Sequence, residues 1–199
     1  MAKLLLATTN QGKIREYRSL FSNLPFQLVT PDELGLKIEV KEDYPSYEEN
    51  ASIKAVAFSR SSHIISLADD SGLEVDVLGG EPGIRSARAA GEAATDKDRI
   101  EHLLYRLKGV SLEKRTAKFK CVIAIATPDG KIQLCYGECK GLIALEPRGE
   151  KGFGYDPVFY FPELDKTIAE LPLEIKNQIS HRGTAAREAY FILERIAKK

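Results

Sequence analysis

Cysteine, methionine and tryptophan are scarce in this chain, which has three, one and none of them among its 199 residues. Cys121, Cys135 and Cys139 form no C-x-x-C pair, and the spacing of the last two lacks the second pair of ligands that a zinc site needs. We therefore expect three reduced cysteines that pack inside the fold, with no disulfide and no zinc.

The chain also lacks an excess of charge of either sign and any long apolar run. Its 29 Lys and Arg balance its 29 Asp and Glu, so no general basic field favours nucleic acid, and any anion must be bound by locally placed cations. Leu4–Ala7, the longest apolar run near the N-terminus, is too short for a signal peptide or a membrane span. We expect a cytoplasmic protein that binds neither nucleic acid nor membranes.

What the sequence does contain is an intermixed set of strand and helix patterns. Apolar runs and alternation predict strands over 3–8, 26–29, 64–68, 73–78 and 117–125, one or two more within 131–145, and a possible one over 38–40. Helical spacing and caps predict helices over 12–22, 48–62, 95–107 and 184–197. We find no repeat and no long linker, so the prediction is one α/β domain over residues 1–199 with a mixed sheet.

Polar residues follow the first predicted strand, in the order Thr8, Thr9, Asn10, Gln11, Gly12, Lys13. The Gly-Lys pair is not a P-loop, because Ala7 and Ile14 stand where that motif has Gly and Ser or Thr. Asn10 is a suitable helix N-cap, and the amides that follow it could hold a phosphate together with Lys13. The alternative is a solvated cap with a surface lysine.

An acidic pair, Asp69 and Asp70, is followed by Ser71 and Gly72 at the end of an apolar run. Adjacent side chains of an extended chain point to opposite sides, so one carboxylate can face a metal while the other bonds to backbone. Mg²⁺ uses one or two protein carboxylates together with substrate phosphates. The alternative is an Asx-turn that closes a hairpin, and we expect a turn at 69–72 in either case.

A glycine-rich stretch, Lys151–Phe159, contains Phe153, Gly154, Tyr155 and Asp156. Its glycines allow close approach of the backbone, an aromatic ring offers a face for a base, and Asp156 could accept hydrogen bonds from a ring or an exocyclic group. The alternative is a turn around a buried aromatic side chain.

Cationic or titratable donors collect just before the last predicted helix, at Lys176, His181 and Arg182. Such donors suit a base carbonyl or a phosphate. The alternative is a helix capped by Ser180 with solvated neighbours. Each of these four stretches is weak evidence alone, but together they supply what a nucleotide site needs.

Six segments occur in the order found in the inosine triphosphate pyrophosphatase family, also called Ham1-like: "TTNQGKIREY", "YEENASIKA", "ADDSGLEVD", "PGIRSARAAG", "GFGYDPVF" and "SHRGTAAREA". The sequence resembles this family from Thr8 to Ala189. The resemblance implies Mg²⁺-dependent hydrolysis of ITP, dITP and XTP to the monophosphate and pyrophosphate, which removes deaminated purines from the nucleotide pool. It also implies a homodimer with an elongated mixed β-sheet, flanked by helices, in two lobes with the active-site cleft between them.

The resemblance further assigns roles to individual residues. Asp70 matches the general base and metal contact, Lys13 and Lys54 the catalytic cations, and Ser71 an adjacent substrate contact. Substrate contacts are also implied at Thr8–Lys13, Phe153–Asp156, Lys176, His181 and Arg182.

One metal ligand does not align clearly, because the family's Glu before the "ENA" block falls within an acidic stretch here. We prefer Glu39, which follows an apolar residue at an expected strand end, and Glu42 is the second choice.

Two rival functions stay open at this point. A nucleotide-sensing module would bind a nucleotide without hydrolysing it, and a related pyrophosphatase would act on modified pyrimidine nucleotides. An acidic residue beside a triphosphate and Mg²⁺ favours an enzyme over a sensor.

Overall fold

The computed structural model describes residues 2–198, which form an α/β fold. The helices are α1 Gln11–Leu20, α2 Tyr47–Ser62, α3 Asp96–Arg106, α4 Leu173–Ile179 and α5 His181–Ala197. The strands are β1 Ala2–Leu6, β2 Phe26–Val29, β3 Ile65–Val75, β4 Pro82–Gly83, β5 Thr116–Ala126, β6 Ile132–Ile143, β7 Phe159–Phe161 and β8 Lys166–Thr167.

The strands form one mixed sheet in the order β2-β1-β3-β5-β6-β7-β8, and β4 pairs with β3. β1 runs parallel to both β2 and β3, with Leu4 opposite Leu28 on one side and Ile65 on the other. β7 runs antiparallel to β6 and to β8. The prediction of a mixed sheet flanked by helices is confirmed.

The chain divides into two compact units, and the first contains the residues up to Asp70, Cys121–Gly137 and the residues from His181 onward. Its core is built from β1, α1, the first-unit parts of β3, β5 and β6, and α5. Leu4, Tyr17 and Ile123 are all buried there. Buried Cys121 and Cys135 are free thiols in this core, which confirms the prediction for them.

The second unit contains Ser71–Lys120 and Glu138–Ser180 and has a core of its own. Phe119 and Phe159 pack in it with ring centroids 4.7 Å apart, and Cys139 is a buried free thiol. Arg115 is also buried in this unit and donates to the carbonyls of Leu107, Val110 and Ala144 at 2.9–3.0 Å. A buried guanidinium is tolerated here because each of these donors has an acceptor.

The predicted turn at residues 69–72 is wrong, because β3 continues through Asp69, Asp70, Ser71 and Gly72 as one strand of 11 residues. An Asp favours a turn when its carboxylate bonds to nearby backbone. Here the Asp69 carboxylate is bound instead by Lys13 and by the distant Arg182, so nothing closes a turn.

Other element predictions also differ from the structure. The possible strand at 38–40 is absent, since residues 36–43 form no regular structure. The residues from 131 to 145 give one long strand, β6, and the last helix begins at His181, three residues earlier than expected. The short helix α4, which follows Pro172, was not predicted.

A single domain over 1–199 stays a prediction. Among the helices of residues 2–198, none combines the length and hydropathy that a membrane crossing requires.

We predict that Gly137→Ala destabilises the first unit, because a Cβ at this β6 position would overlap the backbone of α5 at His181 and Ala185. Backbone atoms of a packed helix cannot move aside cheaply, so we expect a loss of about 2 kcal/mol or more in the free energy of unfolding. Urea unfolding followed by circular dichroism measures it. Gly80→Ala is the control, since its Cβ would enter open space and only its positive φ is strained, at about 1 kcal/mol. Equal losses in the two variants would contradict the overlap.

Candidate active site

The residues between β1 and α1 form the expected strand, polar turn and helix start. Asn10 is the N-cap of α1, and its side-chain oxygen accepts a hydrogen bond from the Lys13 amide at 3.0 Å. The Thr8 hydroxyl accepts a hydrogen bond from the Asn10 amide at 3.2 Å, and the Gln11 side chain donates to the Thr9 carbonyl at 3.3 Å. The turn is therefore held by its own side chains, and the N-terminus of α1 is suited to an anion.

A buried ion-pair cluster lies beside this helix start. One oxygen of Asp69, Oδ2, lies 3.0 Å from Lys13 Nζ and 3.2 Å from both Nε and Nη2 of Arg182. The remaining terminal nitrogen of Arg182, Nη1, donates to Glu16 at 2.7 Å. Three elements, β3, α1 and α5, are thus tied together by charged side chains.

This cluster holds its charges although it is almost fully buried, with Asp69 1% and Arg182 2% exposed. Burial alone would raise the pKa of Asp69, but the nearby Lys13, Arg182 and Lys54 hold it well below its ordinary value. Burial lowers the pKa of Arg182, and the carboxylates of Asp69 and Glu16 more than reverse that effect. Removing one member would leave a buried charge without its partner, which costs about 3–5 kcal/mol.

The pKa of the neighbouring carboxylate, Asp70, is shifted in the opposite direction, upward. Asn50 of α2 donates to its Oδ2 at 3.0 Å. Burial raises the pKa of Asp70, and repulsion from the Glu42 carboxylate adds to this, so that the attraction of Lys13 and the Asn50 bond does not restore the ordinary value. A carboxylate with a raised pKa in a polar site is a candidate for proton transfer or metal binding.

Lys54, in α2, adds another positive charge to the first unit. It is buried, and its Nζ lies 2.7 Å from Glu42 Oε2. The electrostatic effect of Lys54 reaches both Asp69 and Asp70, since it lowers the pKa of each. Lys13 and Lys54 are therefore both near Asp70, as a site for phosphate oxygens requires.

The residues around Asp70 fit a divalent cation of the Mg²⁺ type. No group of three or more His, Cys, Asp and Glu side chains converges anywhere in residues 2–198, but Mg²⁺ needs only one or two carboxylates when the substrate supplies phosphate oxygens. Glu42 is close enough to Asp70 to raise its pKa, whereas Glu39 is exposed and the strand expected to position it is absent. The geometry thus favours Glu42, our second choice, over Glu39.

In the second unit, the Phe153–Asp156 loop is organised by the carboxylate of Asp156. Its Oδ2 accepts a hydrogen bond from the Phe153 amide at 2.9 Å and forms an ion pair with Lys176 of α4. The Lys176 ammonium also lies 4.9 Å from the centroid of the Phe153 ring. Gly152 has a φ of +80° and leaves no room for a Cβ beside Asp156, so glycine is required there.

Two further contacts hold this loop to the rest of the second unit. The Gly154 amide donates to Asp96, the first residue of α3, at 2.6 Å, and the Tyr155 hydroxyl donates to the Ser86 carbonyl at 3.1 Å. Burial raises the pKa of Tyr155 to about 12, so the hydroxyl stays a donor at neutral pH. The loop is therefore fixed before any ligand binds.

The structure groups the expected site residues in two sets. The first unit holds Thr8–Lys13, Lys54, Asp70 and the buried His181 and Arg182, and the second unit holds Ser71, Phe153–Asp156 and Lys176. The expectation that Arg182 contacts substrate stays a prediction, and its guanidinium group forms ion pairs with Asp69 and Glu16.

Three residues that shape the site were not singled out from the sequence: Glu16, Asn50 and Asp96. One feature of the sequence does point to Glu16 as a site residue. It lies on the same face of α1 as Lys13 and beside apolar Tyr17. An acidic residue on a core-facing side predicts a buried cationic partner. Asn50 lies within a quoted motif, and nothing local marked Asp96 as a contact of Gly154.

Comparison with known proteins agrees with the resemblance seen in the sequence. The model of the Ham1 family matches residues 4–191. A protein of Desulforamulus reducens named dITP/XTP pyrophosphatase is 49% identical over 98% of this chain and 96% of its own length. One of the same name from Bacillus subtilis is 42% identical over 98% of each. The solved structure of a HAM1 protein from Coxiella burnetii has a TM-score of 0.87 at 38% identity, covering 98% of this chain and all of that one.

We predict that Asp70→Asn raises stability at pH 7. A carboxyl whose pKa is higher in the folded than in the unfolded state stabilises the fold below its unfolded pKa of about 3.9, and this contribution is lost as the pH rises through the folded pKa. At pH 7 the charged Asp70 therefore costs stability, and a neutral amide that can still accept from Asn50 does not. Thermal unfolding in the presence of a chelator should show a gain at pH 7 that fades toward pH 4.

Asp69→Asn is the matched control for this prediction, because the pKa of Asp69 is shifted downward. Its contribution is present above the unfolded pKa and is lost as the pH falls through the folded pKa, so Asp69→Asn should lower stability at pH 7. Similar losses in both variants would contradict the opposite assignments of the two carboxylates.

Proposed function

Because the chain belongs to the Ham1 family, we propose that the protein is a nucleoside triphosphate pyrophosphatase that hydrolyses ITP, dITP and XTP to the monophosphate and pyrophosphate. Relatives named dITP/XTP pyrophosphatase cover nearly the whole chain and support this substrate class. The observation that carries the proposal is Asp70, whose pKa is raised, near Lys13, Lys54 and the N-terminus of α1. This arrangement suits attack of water on a phosphate.

Phosphate binding is assigned to the first unit. The amides at the start of α1, with the Thr8–Asn10 turn that supports them, would bind oxygens of the triphosphate. Lys13 and Lys54 would neutralise charge on the reacting phosphate and on the leaving pyrophosphate. Both ammonium groups are already held by carboxylates, at Asp69 and Glu42 respectively, so little reorganisation is needed when substrate arrives.

We assign to Asp70 the positioning and deprotonation of the water molecule that attacks the phosphate. Its raised pKa makes it a better proton acceptor than an ordinary aspartate, because a general base works best when its pKa approaches the working pH. Asn50 fixes the orientation of the carboxylate. Positioning of the nucleophile is a large part of what a protein contributes to the catalysis of phosphoryl transfer.

We propose Mg²⁺ as the cofactor, held by Asp70 and Glu42, with Glu39 as the less favoured second ligand. When bound, the ion neutralises phosphate charge and polarises the reacting group.

Selection of the purine is assigned to the loop of the second unit. The Phe153 ring offers a face for the base, and the ammonium group of Lys176, which lies 4.9 Å from the centroid of that ring, offers a donor to a 6-keto oxygen. Adenine presents an amino donor at this position, and leaving buried donors unpaired costs about 1–3 kcal/mol each. Ser71, His181 and Arg182 remain proposed substrate contacts from the family resemblance.

Three further properties are proposed: a homodimer on the family resemblance, and a cytoplasmic location and the absence of a nucleic-acid partner on the balanced charge and short apolar runs of the sequence. The two rival functions, a sensor that does not hydrolyse and an enzyme for modified pyrimidine nucleotides, receive no support from the names of the relatives.

We predict that Asp70→Asn lowers the rate of pyrophosphate release from ITP by about 100-fold or more, since general-base catalysis contributes about 10²–10⁴. Release is followed with a coupled pyrophosphate assay. The control is Asp129→Asn, which alters an exposed carboxylate in the β5–β6 turn and should leave the rate unchanged. A near-normal rate for Asp70→Asn would remove this residue from the mechanism.

We also predict that a substitution at a phosphate contact and one at a base contact affect the selectivity for ITP over ATP differently. Lys176→Met removes a donor to the 6-keto oxygen and should reduce the ratio of kcat/KM for ITP to that for ATP by about tenfold. Lys54→Gln should lower both kcat/KM values by similar factors and preserve the ratio, because both substrates carry the same phosphates. If Lys54→Gln changes the ratio and Lys176→Met does not, the assignment of the two units is reversed.

A further inference from the structure

Asn50, near the start of α2, is a polar residue with only 2% of its surface exposed. Burial of an amide is unfavourable unless its donors and its acceptor are bonded. The side-chain oxygen of Asn50 accepts a hydrogen bond from the Tyr44 amide at 3.1 Å, and Nδ2 donates to the Tyr44 carbonyl at 3.2 Å and to Asp70 Oδ2 at 3.0 Å. One side chain therefore joins the segment before α2 to the strand β3.

The orientation of the Asn50 amide follows from these partners. The Asp70 carboxylate and the Tyr44 carbonyl are acceptors, so the NH₂ group must face them, and the oxygen must face the Tyr44 N–H. If the amide were rotated by 180°, its oxygen would face two acceptors and its NH₂ group would face a donor, so that all three bonds would be lost. Asn50 thus holds Tyr44 and Asp70 together in this one orientation.

The segment that precedes Tyr44 carries Glu42 and depends on such contacts. Residues 36–43 form no regular structure, so neither a strand nor a helix fixes Glu42. The Glu42 carboxylate lies 2.7 Å from Lys54 Nζ. Lys54 and Asn50 are four residues apart, so they lie on one face of α2. That face holds the segment both at the Glu42 side chain and at the Tyr44 backbone.

From these contacts we propose that Asn50 is a positioning residue for the divalent cation, and that it fixes the place of Glu42 relative to Asp70. The inference rests on the proposed function, which assigns both carboxylates to Mg²⁺, and it goes beyond the orientation of Asp70, because the same amide anchors the chain two residues after Glu42. Mg²⁺ requires near-ideal octahedral geometry, so it binds less well to a carboxylate that moves. Residues that orient metal ligands without touching the metal contribute about 10–100-fold to metal affinity.

The affinity of the substrate-free protein for Mn²⁺ tests this role. Mn²⁺ accepts the same oxygen ligands as Mg²⁺, and electron paramagnetic resonance measures the free ion directly. We expect Asn50→Ala to raise the Kd for Mn²⁺ by about tenfold. The control is Ser59→Ala in the same helix. Ser59 is buried and its hydroxyl donates to the Ile64 carbonyl at 2.8 Å, so the control loses a buried hydrogen bond that involves neither Tyr44 nor Asp70, and its Kd should be unchanged.

Hydrogen exchange of the Tyr44 amide, read by NMR, gives a second measurement that needs no variant. This amide follows an irregular segment but donates to a buried side chain, so we expect its exchange to be at least about tenfold slower than in an unstructured chain. Saturating Mg²⁺ should slow it further, because an ion held by Glu42 and Asp70 stabilises the bonded arrangement. Exchange at the rate of an unstructured chain, or no response to Mg²⁺, would overturn the proposal even if Asn50→Ala did not fold.

Asp70→Asn separates the failure of this inference from the failure of the proposed metal site. The variant removes a proposed ligand, so it should weaken Mn²⁺ binding at least as much as Asn50→Ala does. Weakened binding in Asp70→Asn with an unchanged Kd in Asn50→Ala would overturn the positioning role alone, and an unchanged Kd in Asp70→Asn would overturn both. Equal losses in Asn50→Ala and Ser59→Ala would mean that Mn²⁺ affinity follows the stability of α2, which would also overturn the positioning role. Thermal unfolding followed by circular dichroism verifies that each variant is folded at the temperature of the titration.

Discussion

The ion pairs at Asp69 are the interaction on which the candidate site depends. One buried oxygen of this strand residue binds Lys13 at the start of α1 and Arg182 at the start of α5, and Arg182 is held in turn by Glu16. The N-terminal end of α1 and the strand that carries Asp70 are therefore fixed to each other by charge. These charges are tolerated in the interior because each has a partner of opposite sign.

Two adjacent carboxylates consequently have different electrostatic environments. Asp69 is surrounded by cations, has a lowered pKa and serves the architecture. Asp70 points to the other side of the strand and has a raised pKa, because it is partly desolvated and near Glu42. A group kept in an unfavourable charged state is a common feature of active sites, where some stability is lost to reactivity. Lys54, paired with Glu42, brings positive charge to the same neighbourhood.

What could be predicted from the sequence was local chemistry at fixed spacing. The Asn10 cap and the Thr95–Asp98 capping box both follow from residues three positions apart, and both are present. The contact between Asp69 and Arg182 joins residues 113 positions apart, so no local pattern could reveal it. The same limitation explains the wrong turn at 69–72 and the unrecognised bond between Gly154 and Asp96. The preference for Glu39 over Glu42 as a metal ligand stays a prediction, but the strand that motivated it does not form.

The most direct test of the proposed activity is a nucleotide panel in which both products are identified. The protein is incubated with Mg²⁺ and ITP, dITP, XTP, ATP, GTP or modified pyrimidine triphosphates, and pyrophosphate and monophosphate are quantified. We expect equal amounts of both products from ITP, dITP and XTP, and much slower reaction with ATP and GTP. Binding without turnover, faster turnover of a pyrimidine nucleotide, or release of orthophosphate in place of pyrophosphate would contradict the account.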